Sequence, residues 1–466
     1  MNLTELLDRA TGRWPQKPAI IDGTNVVSYA DLAARTADLA SRLKAFQLSS
    51  ASRVGLCCPN SVNYVAMTFA LWRINAVVVP IPMECTEQEL SRIAATMRLE
   101  AILSLTPRHQ SLPMPPDWFF TRLPSIPPPD NGGLNIAFIR FTSGTTSACK
   151  GVVLCHETVR DRVLAANRAL RIGPEDTVIW CLPMSHHFLV TIVLYLSVGA
   201  AIVLARHVLA GPFLEAVNRW QGTVLYAAPF HYALLARGAS ATGLSSVRLA
   251  VSTTCALPQD VSEDFFNRFG FPLVQALGII ELGLVSLNTD DPKRRWNSVG
   301  RPLQDYRVRI IAPDDEGCGE IAVSGPGMFD AYADPWLPRQ RVLRDGCFHT
   351  GDLGRVDSDG FLFLVGRKTA VINMAGRKVF PEEIEAVLNR HPAVRESRAY
   401  GRPHPHLGQV VEADVVLHHP DADLESVRNL CRAALAPFKI PSRLHAVNSL
   451  PRTTATGKIR RPIAVA

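Results

Sequence analysis

Residues 141 to 153 read Phe-Thr-Ser-Gly-Thr-Thr-Ser-Ala-Cys-Lys-Gly-Val-Val, a run of hydroxyl and glycine positions with one lysine between two apolar stretches. Backbone N–H groups, the hydroxyls of Thr142, Ser143, Thr145 and Thr146, the open backbone at Gly144 and the ammonium of Lys150 are the groups with which a chain wraps a polyphosphate. The same composition is also common in solvent turns. Leu134 to Phe141 reads as a strand with one interior arginine, Arg140, and Val152 to Leu154 as another, so a hairpin-like loop is expected. A P-loop would need Gly-x-x-x-x-Gly-Lys-Ser/Thr opening a helix. Here Cys149 stands at the second glycine, Gly151 follows Lys150, and β-branched residues come next.

Four further stretches carry polar or charged groups in turn-like settings. They are QALGIIE ending at Glu281, FHTGDL at Phe348 to Leu353 with Gly366-Arg367 after it, VINMAGRKVFPEEIEAV from Val371 to Val387, and PRTTATGKIR from Pro451 to Arg460. Taken in this order with the first loop, they resemble the motifs of the AMP-forming adenylate ligases: acyl-CoA and aryl-CoA synthetases, nonribosomal adenylation domains and beetle luciferases. In that family the loop reads Thr-Ser-Gly-Thr-Thr-Gly-x-Pro-Lys-Gly-Val, and this chain departs from it at Ser147 and Cys149.

The resemblance implies a role for each matching residue. Residues 142–146 and Lys150 hold the phosphates of ATP. Glu281 holds Mg²⁺, while Leu277, Gly278 and Ile280 lie along the nucleotide, with Leu277 replacing a tyrosine that stacks on adenine and Ile280 a threonine that touches phosphate. Asp352 takes the ribose hydroxyls, for which a carboxylate is a strong acceptor, and Arg367 lies near ribose and phosphate. Lys458 and Thr146 act in the adenylating step. Gly376 borders the channel for a phosphopantetheine thiol, where a side chain would obstruct, and Thr369 falls at the family's hinge position.

The implied fold is α/β: a large N-terminal domain of βα layers with a β-rich subdomain (1–366), a hinge at 367–370, and a small mobile α+β lid (371–466) carrying Lys458. Ala19 to Leu32 matches the family's opening strands and first helix, and a helix is expected to open at Pro381 with Glu382 and Glu383 in its first turn. Residues 106 to 133, rich in proline, read as a surface connection, and a β-rich segment is expected from Ser298 to about Gly366.

The implied reaction has two steps. A carboxylate attacks the α-phosphorus of ATP to give an acyl-adenylate and pyrophosphate, and a thiol of CoA or of an acyl carrier protein then takes the acyl group. A luciferase-like oxygenase or a non-catalytic nucleotide-binding homologue would share most of the motifs. The acid pocket is expected to include His186, His187, Ala228, Pro229, Thr253, Thr254, Cys255 and Ala276, with His186 near the reacting carboxylate. The family frequently carries Gly-Gly-Ala where Thr253-Thr254-Cys255 stands, so a small or planar acid is expected, such as a hydroxybenzoate; a short- or medium-chain acid is the alternative. No Phe-Asp pair follows His187, which disfavours an α-amino acid.

Composition sets outer bounds. A chain of 466 residues, 47% hydrophobic and 20% charged, can bury a large core. The net charge of +7 and pI near 8.9 suit anionic small molecules, and the basic residues are too dispersed for a nucleic-acid surface. Ten scattered cysteines without a Cys-x-x-Cys pair argue against a zinc site or disulfide framework, and the acidic N-terminal stretch is unlike a signal peptide, so a cytoplasmic setting is expected. Phe188 to Ala205 is uncharged and long enough to raise a membrane span, but Gly199 divides it into an expected buried helix ending near Val198 and a strand from Ala201 to Ala205.

Overall fold

The computed structural model describes residues 1–83, 85–124, 132–141, 151–205, 209–238, 243–374, 377–404, 408–419, 422–435, 437–452 and 459. The chain forms two compact units: Met1–Thr142, Lys150–Arg307 and Ser324–Gly346 make the first, while the second takes Val308–Val323 and Cys347 onward.

In the first unit, among the described residues, two nine-stranded sheets alternate with helices. One runs in the order Arg301–Pro302, Gly283–Leu287, Val274–Ile279, Leu249–Ser252, Val224–Ala227, Thr177–Trp180, Ala201–Leu204, Pro18–Asp22, Asn25–Ser28. Its central strands are parallel and apolar throughout, as strands covered on both faces must be. The other sheet holds Arg53–Cys57 and Val77–Ile81, buried at every position, and pairs Ile136–Phe141 antiparallel with Gly151–Cys155. That antiparallel pair is the expected hairpin, and its connection, 142–150, lies outside the described residues.

Local signals explain the helices. Ser28 caps Tyr29–Lys44 through a reciprocal capping box with Asp31, and Thr86 does the same for Glu87–Met97 with Glu89. The uncharged stretch resolves as expected into a helix, Ile192–Ser197, and a strand, Ala201–Leu204, both buried. Among the described residues no helix is long and apolar enough to cross a membrane.

The proline-rich stretch corrects an expectation. Rather than a plain connection, it contributes two strands, Leu112–Met114 and Trp118–Arg122, to the edge of the second sheet. Pro115 and Pro116 fall in the turn, where their missing donors cost nothing, and Trp118 and Phe120 supply the buried anchors.

In the second unit, Arg307–Ile311, Gly319–Ser324, Phe348–Val356 and Leu362–Arg367 form a four-stranded sheet. A single 3₁₀ turn, Lys368–Ala370, separates it from the strand Ile372–Met374. Beyond lies a sheet built on the long pair Val394–His404 and Gly408–Leu417, packed on the helices Pro381–Leu388 and Leu424–Ala434 through Ile384, Leu388, Val411, Val415, Val427 and Cys431. Pro381 opens its helix with Glu382 and Glu383 in the first turn, as expected.

One buried imidazole makes the first unit acid-sensitive. His156, 1% exposed at the start of His156–Leu170, accepts the Leu3 N–H at Nδ1 (3.1 Å) and meets Trp72 edge-on. Burial pushes it down to about 4 from its ordinary 6.5, with Glu157 opposing the shift. Folding therefore favours the neutral ring, and its contribution is complete above about pH 6.5 and lost as the pH falls toward 4. His156→Gln keeps an acceptor without a titrating ring. The wild type is expected to lose on the order of 3 kcal/mol more than the variant between pH 7 and pH 4 in chemical denaturation; parallel losses would contradict this.

Candidate active site

Four parallel strands of the first sheet end at the same edge, and most of the expected pocket residues follow those ends, where open α/β sheets bind ligands. His186 and His187, both half-buried, lie in the short helix Met184–His187 after Thr177–Trp180. Asn60 fixes that segment by accepting the Met184 N–H (2.8 Å) and donating to the Leu182 carbonyl (2.8 Å). Ala228 and Pro229 open the helix after Val224–Ala227. Thr253 follows Leu249–Ser252 and donates its N–H to the Ala227 carbonyl (3.0 Å). Ala276 and Leu277 are buried on Val274–Ile279, and Cys255 is exposed.

Three aromatic rings that sequence reasoning missed back this edge. Trp180 stacks on Tyr226 (6.0 Å between centroids) and meets Tyr195 and His187 edge-on. Burial pushes the Tyr226 phenol up to about 12, with the neighbouring Thr253 side chain opposing the shift. Trp180 and Tyr226 lie inside buried strands and Tyr195 inside the helix Ile192–Ser197, where all three read simply as core. Thr254 sits at φ +80°, a left-handed conformation that is a genuine outlier for a β-branched residue and that glycine adopts without cost.

Glu281 occupies the turn between Val274–Ile279 and Gly283–Leu287 and is 8% exposed. The Tyr332 hydroxyl donates to its Oε1 (3.0 Å). Two arginines stand close enough to feel its charge, Arg140 and Arg162, each pushed down to about 10 by burial. Arg162, 2% exposed, braces the turn by donating to the Ile280 carbonyl (2.8 Å) and to the Gly327 carbonyl. Its side chain threads between Gly283 and Gly327, where added Cβ atoms would lie 3.1 and 2.4 Å from it. A signal for Arg162 existed: it lies three residues after Val159 and four before Ala166, on the apolar stripe of its helix. Gln275, expected only as part of a motif, is used structurally, accepting the Leu257 N–H (2.7 Å) and donating to the Ser298 carbonyl (3.0 Å).

In the second unit the structure joins two motifs. Asp352 and Arg367 face each other across adjacent antiparallel strands, with Arg367 Nε 2.5 Å from Asp352 Oδ1. Thr350 holds the approach, donating to the Ile321 carbonyl and accepting the Asp352 N–H. Thr142, Ser143, Gly144, Thr145, Thr146, Lys150, Gly376 and Lys458 lie outside the described residues, as does the side chain of Thr369. Arg452 and Ile459, both within the closing motif, pair as an antiparallel bridge.

Comparison with known proteins gives consistent matches. The family model described as AMP-binding enzyme matches residues 7–333, and that described as AMP-binding enzyme C-terminal domain matches 383–458. A sulfoacetate–CoA ligase of Cupriavidus necator is 29% identical, covering 98% of this chain and 96% of that protein. An indoleacetate–CoA ligase of Aromatoleum aromaticum is also 29% identical, covering 99% and 97%. Among solved structures, ATP-bound MatB from Rhodopseudomonas palustris superposes with a TM-score of 0.84 at 26% identity, covering 99% of this chain and 97% of that one.

The Arg162 brace is open to direct test. Arg162→Met should destabilise the first unit by about 2–4 kcal/mol in urea denaturation, because two buried carbonyls lose their donor. Gly327→Ala should fall in the same direction through the clash with the Arg162 side chain and the φ of +69°. Unchanged midpoints for both would refute the brace.

Proposed function

The chain belongs to the AMP-binding enzyme family and is an AMP-forming acid–CoA ligase, and on that premise we propose that its acid is small and planar, an aryl acid such as a hydroxybenzoate. What supports this is bulk at the strand ends: Thr253, buried just after Leu249–Ser252, and Thr254 stand where the family frequently carries glycine, and Trp180 stacks on Tyr226 on the neighbouring strands. Thr254 adds to that bulk from a strained backbone. Two relatives named for sulfoacetate and indoleacetate, both compact acids, support the size class. The first of these also favours a second reading, a short non-aromatic acid.

In the proposed mechanism the acid lies at the edge formed by Thr177–Trp180, Val224–Ala227 and Leu249–Ser252, with His186 near its carboxylate. The hydroxyls of residues 142–146 and the ammonium of Lys150 hold the triphosphate. The carboxylate attacks the α-phosphorus, the bond to the β-phosphate oxygen breaks, and pyrophosphate leaves with the negative charge. Lys458, on a lid spanning 371–466, stabilises the charge that builds on the phosphate oxygens, an electrostatic contribution typical of phosphoryl chemistry. Asp352 and Arg367 take the ribose side. Rotation about 367–370 then withdraws Lys458 and brings Gly376 to the thiol channel. The CoA thiol gives up its proton, attacks the carbonyl, and AMP departs.

Glu281 is the group for Mg²⁺, which supplies charge neutralisation when bound. One buried carboxylate suits an ion that commonly takes one or two protein carboxylates and otherwise substrate phosphates and water. Among the described residues no cluster of three or more candidate ligands competes with it. We infer a reducing, cytoplasmic setting from cysteines scattered along the sequence without a Cys-x-x-Cys pair.

Acid-dependent exchange of labelled pyrophosphate into ATP, run over aryl, short-chain and long-chain acids, tests the acid class. Compact aryl acids should support the fastest exchange, and a preference for long chains would sink the proposal. Thr253→Gly combined with Thr254→Gly should widen the profile toward longer acids; an unchanged profile removes both from the pocket. Competition between CoA and a holo carrier protein identifies the thiol. Lys458→Ala should cut adenylate formation by on the order of 10² to 10³ while sparing thioester formation from supplied adenylate, and equal loss of both contradicts the rotating lid.

A further inference from the structure

We propose that Arg140 is a substrate-contacting residue of this ligase, its guanidinium taking a phosphate oxygen of ATP. The inference rests on the adenylating site assigned above and adds to it a cation that no motif contains.

Placement comes first. Arg140 is the penultimate residue of Ile136–Phe141, the strand that runs into the hydroxyl-rich loop at 142. It pairs with Val152, and Val152 pairs with Tyr332, so the three form one row across adjacent antiparallel strands. Residues opposed in such a row project from the same face. Tyr332 uses that face to donate to Glu281 (3.0 Å), and the Arg140 side chain leaves the sheet on the same face, close enough to Glu281 to feel its charge. On its other side stands Tyr64, whose ring packs against Phe188 (5.5 Å between centroids), the residue after the His186–His187 pair.

Partnership comes second. Arg140 is half-buried, its Nε is fully enclosed without a hydrogen-bond partner, and among the described residues its side chain takes part in no hydrogen bond or ion pair. The Tyr64 hydroxyl beside it is likewise buried and unpartnered. An arginine serving only the fold would spend its donors, as Arg162 does on the carbonyls of Ile280 and Gly327. A rigid fork of donors left unspent on the face that Tyr332 shares, beside the carboxylate assigned to Mg²⁺, matches the geometry of a phosphate oxyanion. The carboxylate of the acid offers the same chemistry, but Arg140 stands near Glu281, the group assigned to Mg²⁺, and such an ion is commonly shared with substrate phosphates.

Calorimetric titration of ATP into the full-length chain without acid tests this independently of which acid is used. Arg140→Gln should weaken ATP binding by on the order of 10- to 100-fold, Arg140→Lys should recover part of it, and KM for ATP should rise while KM for the acid stays within twofold. Unchanged ATP affinity in the folded Gln variant overturns the assignment. So does a rise confined to the acid KM, which would hand the guanidinium to the acid instead, and so does a fall in Tm with ATP affinity intact. If the wild type binds ATP but exchanges no pyrophosphate with any acid, the functional reading fails while the Arg140 measurement still stands.

Discussion

The site depends on one hairpin turn being held with a carboxylate inside it. Glu281 is nearly buried, and a buried charge is tolerable only where donors and opposite charges surround it. The chain meets that demand from three directions: a phenol from Tyr332, the field of Arg140 and Arg162, and the backbone grip of Arg162 on Ile280. The arginines are themselves desolvated, which is why burial lowers both. Asp330, the second carboxylate acting on Arg162, is occupied by the Cys155 N–H and the Thr158 hydroxyl. Two cations and two anions thus stand close together around the turn.

A second constraint is topological. Because the central strands are parallel, their carboxyl ends share one edge, and side chains far apart in sequence, from His186 to Leu277, are collected there by the sheet alone. What varies is bulk at the strand ends. Thr253 is buried beside Tyr226, and Thr254 accepts a left-handed backbone that glycine adopts without cost. That strain makes sense if the filled volume is what the pocket needs.

Much of this was legible in sequence. The hairpin around 142–150, the capped helix at Tyr29, the divided apolar stretch and the helix at Pro381 all followed from periodicity and turn chemistry, and the ordered motifs located Glu281, Asp352 and Arg367. The misses share a cause. Trp180 and Tyr226 look like core because they are core on one side, and Arg162 looks like surface unless its helical phase is counted. The strands at 112–122 hide behind prolines that occupy the turn between them. Partition of the chain was the least readable. Val308–Val323 joins Cys347–Gly366 through a strand pairing distant in sequence, which no local pattern records, and both group with the C-terminal residues in the second unit.

The Asp352–Arg367 pair shows why such pairings matter to chemistry. Asp352 and Arg367 are opposed directly, as are Leu353 and Gly366, but the next register couples Gly354 with Leu364, so a bulge follows the pair at once. A side chain at Gly354 would lie 2.3 Å from the Phe363 carbonyl, which makes that glycine a condition of the bulge. Side chains alternate faces along a strand, so a slip of one residue would turn Asp352 away from Arg367 and toward the opposite face. The bulge pins the register where the carboxylate needs its partner. Two motifs that read as separate in sequence, Gly-Asp and Gly-Arg, are therefore one feature, and the residue enforcing their union belongs to neither side chain of the ion pair.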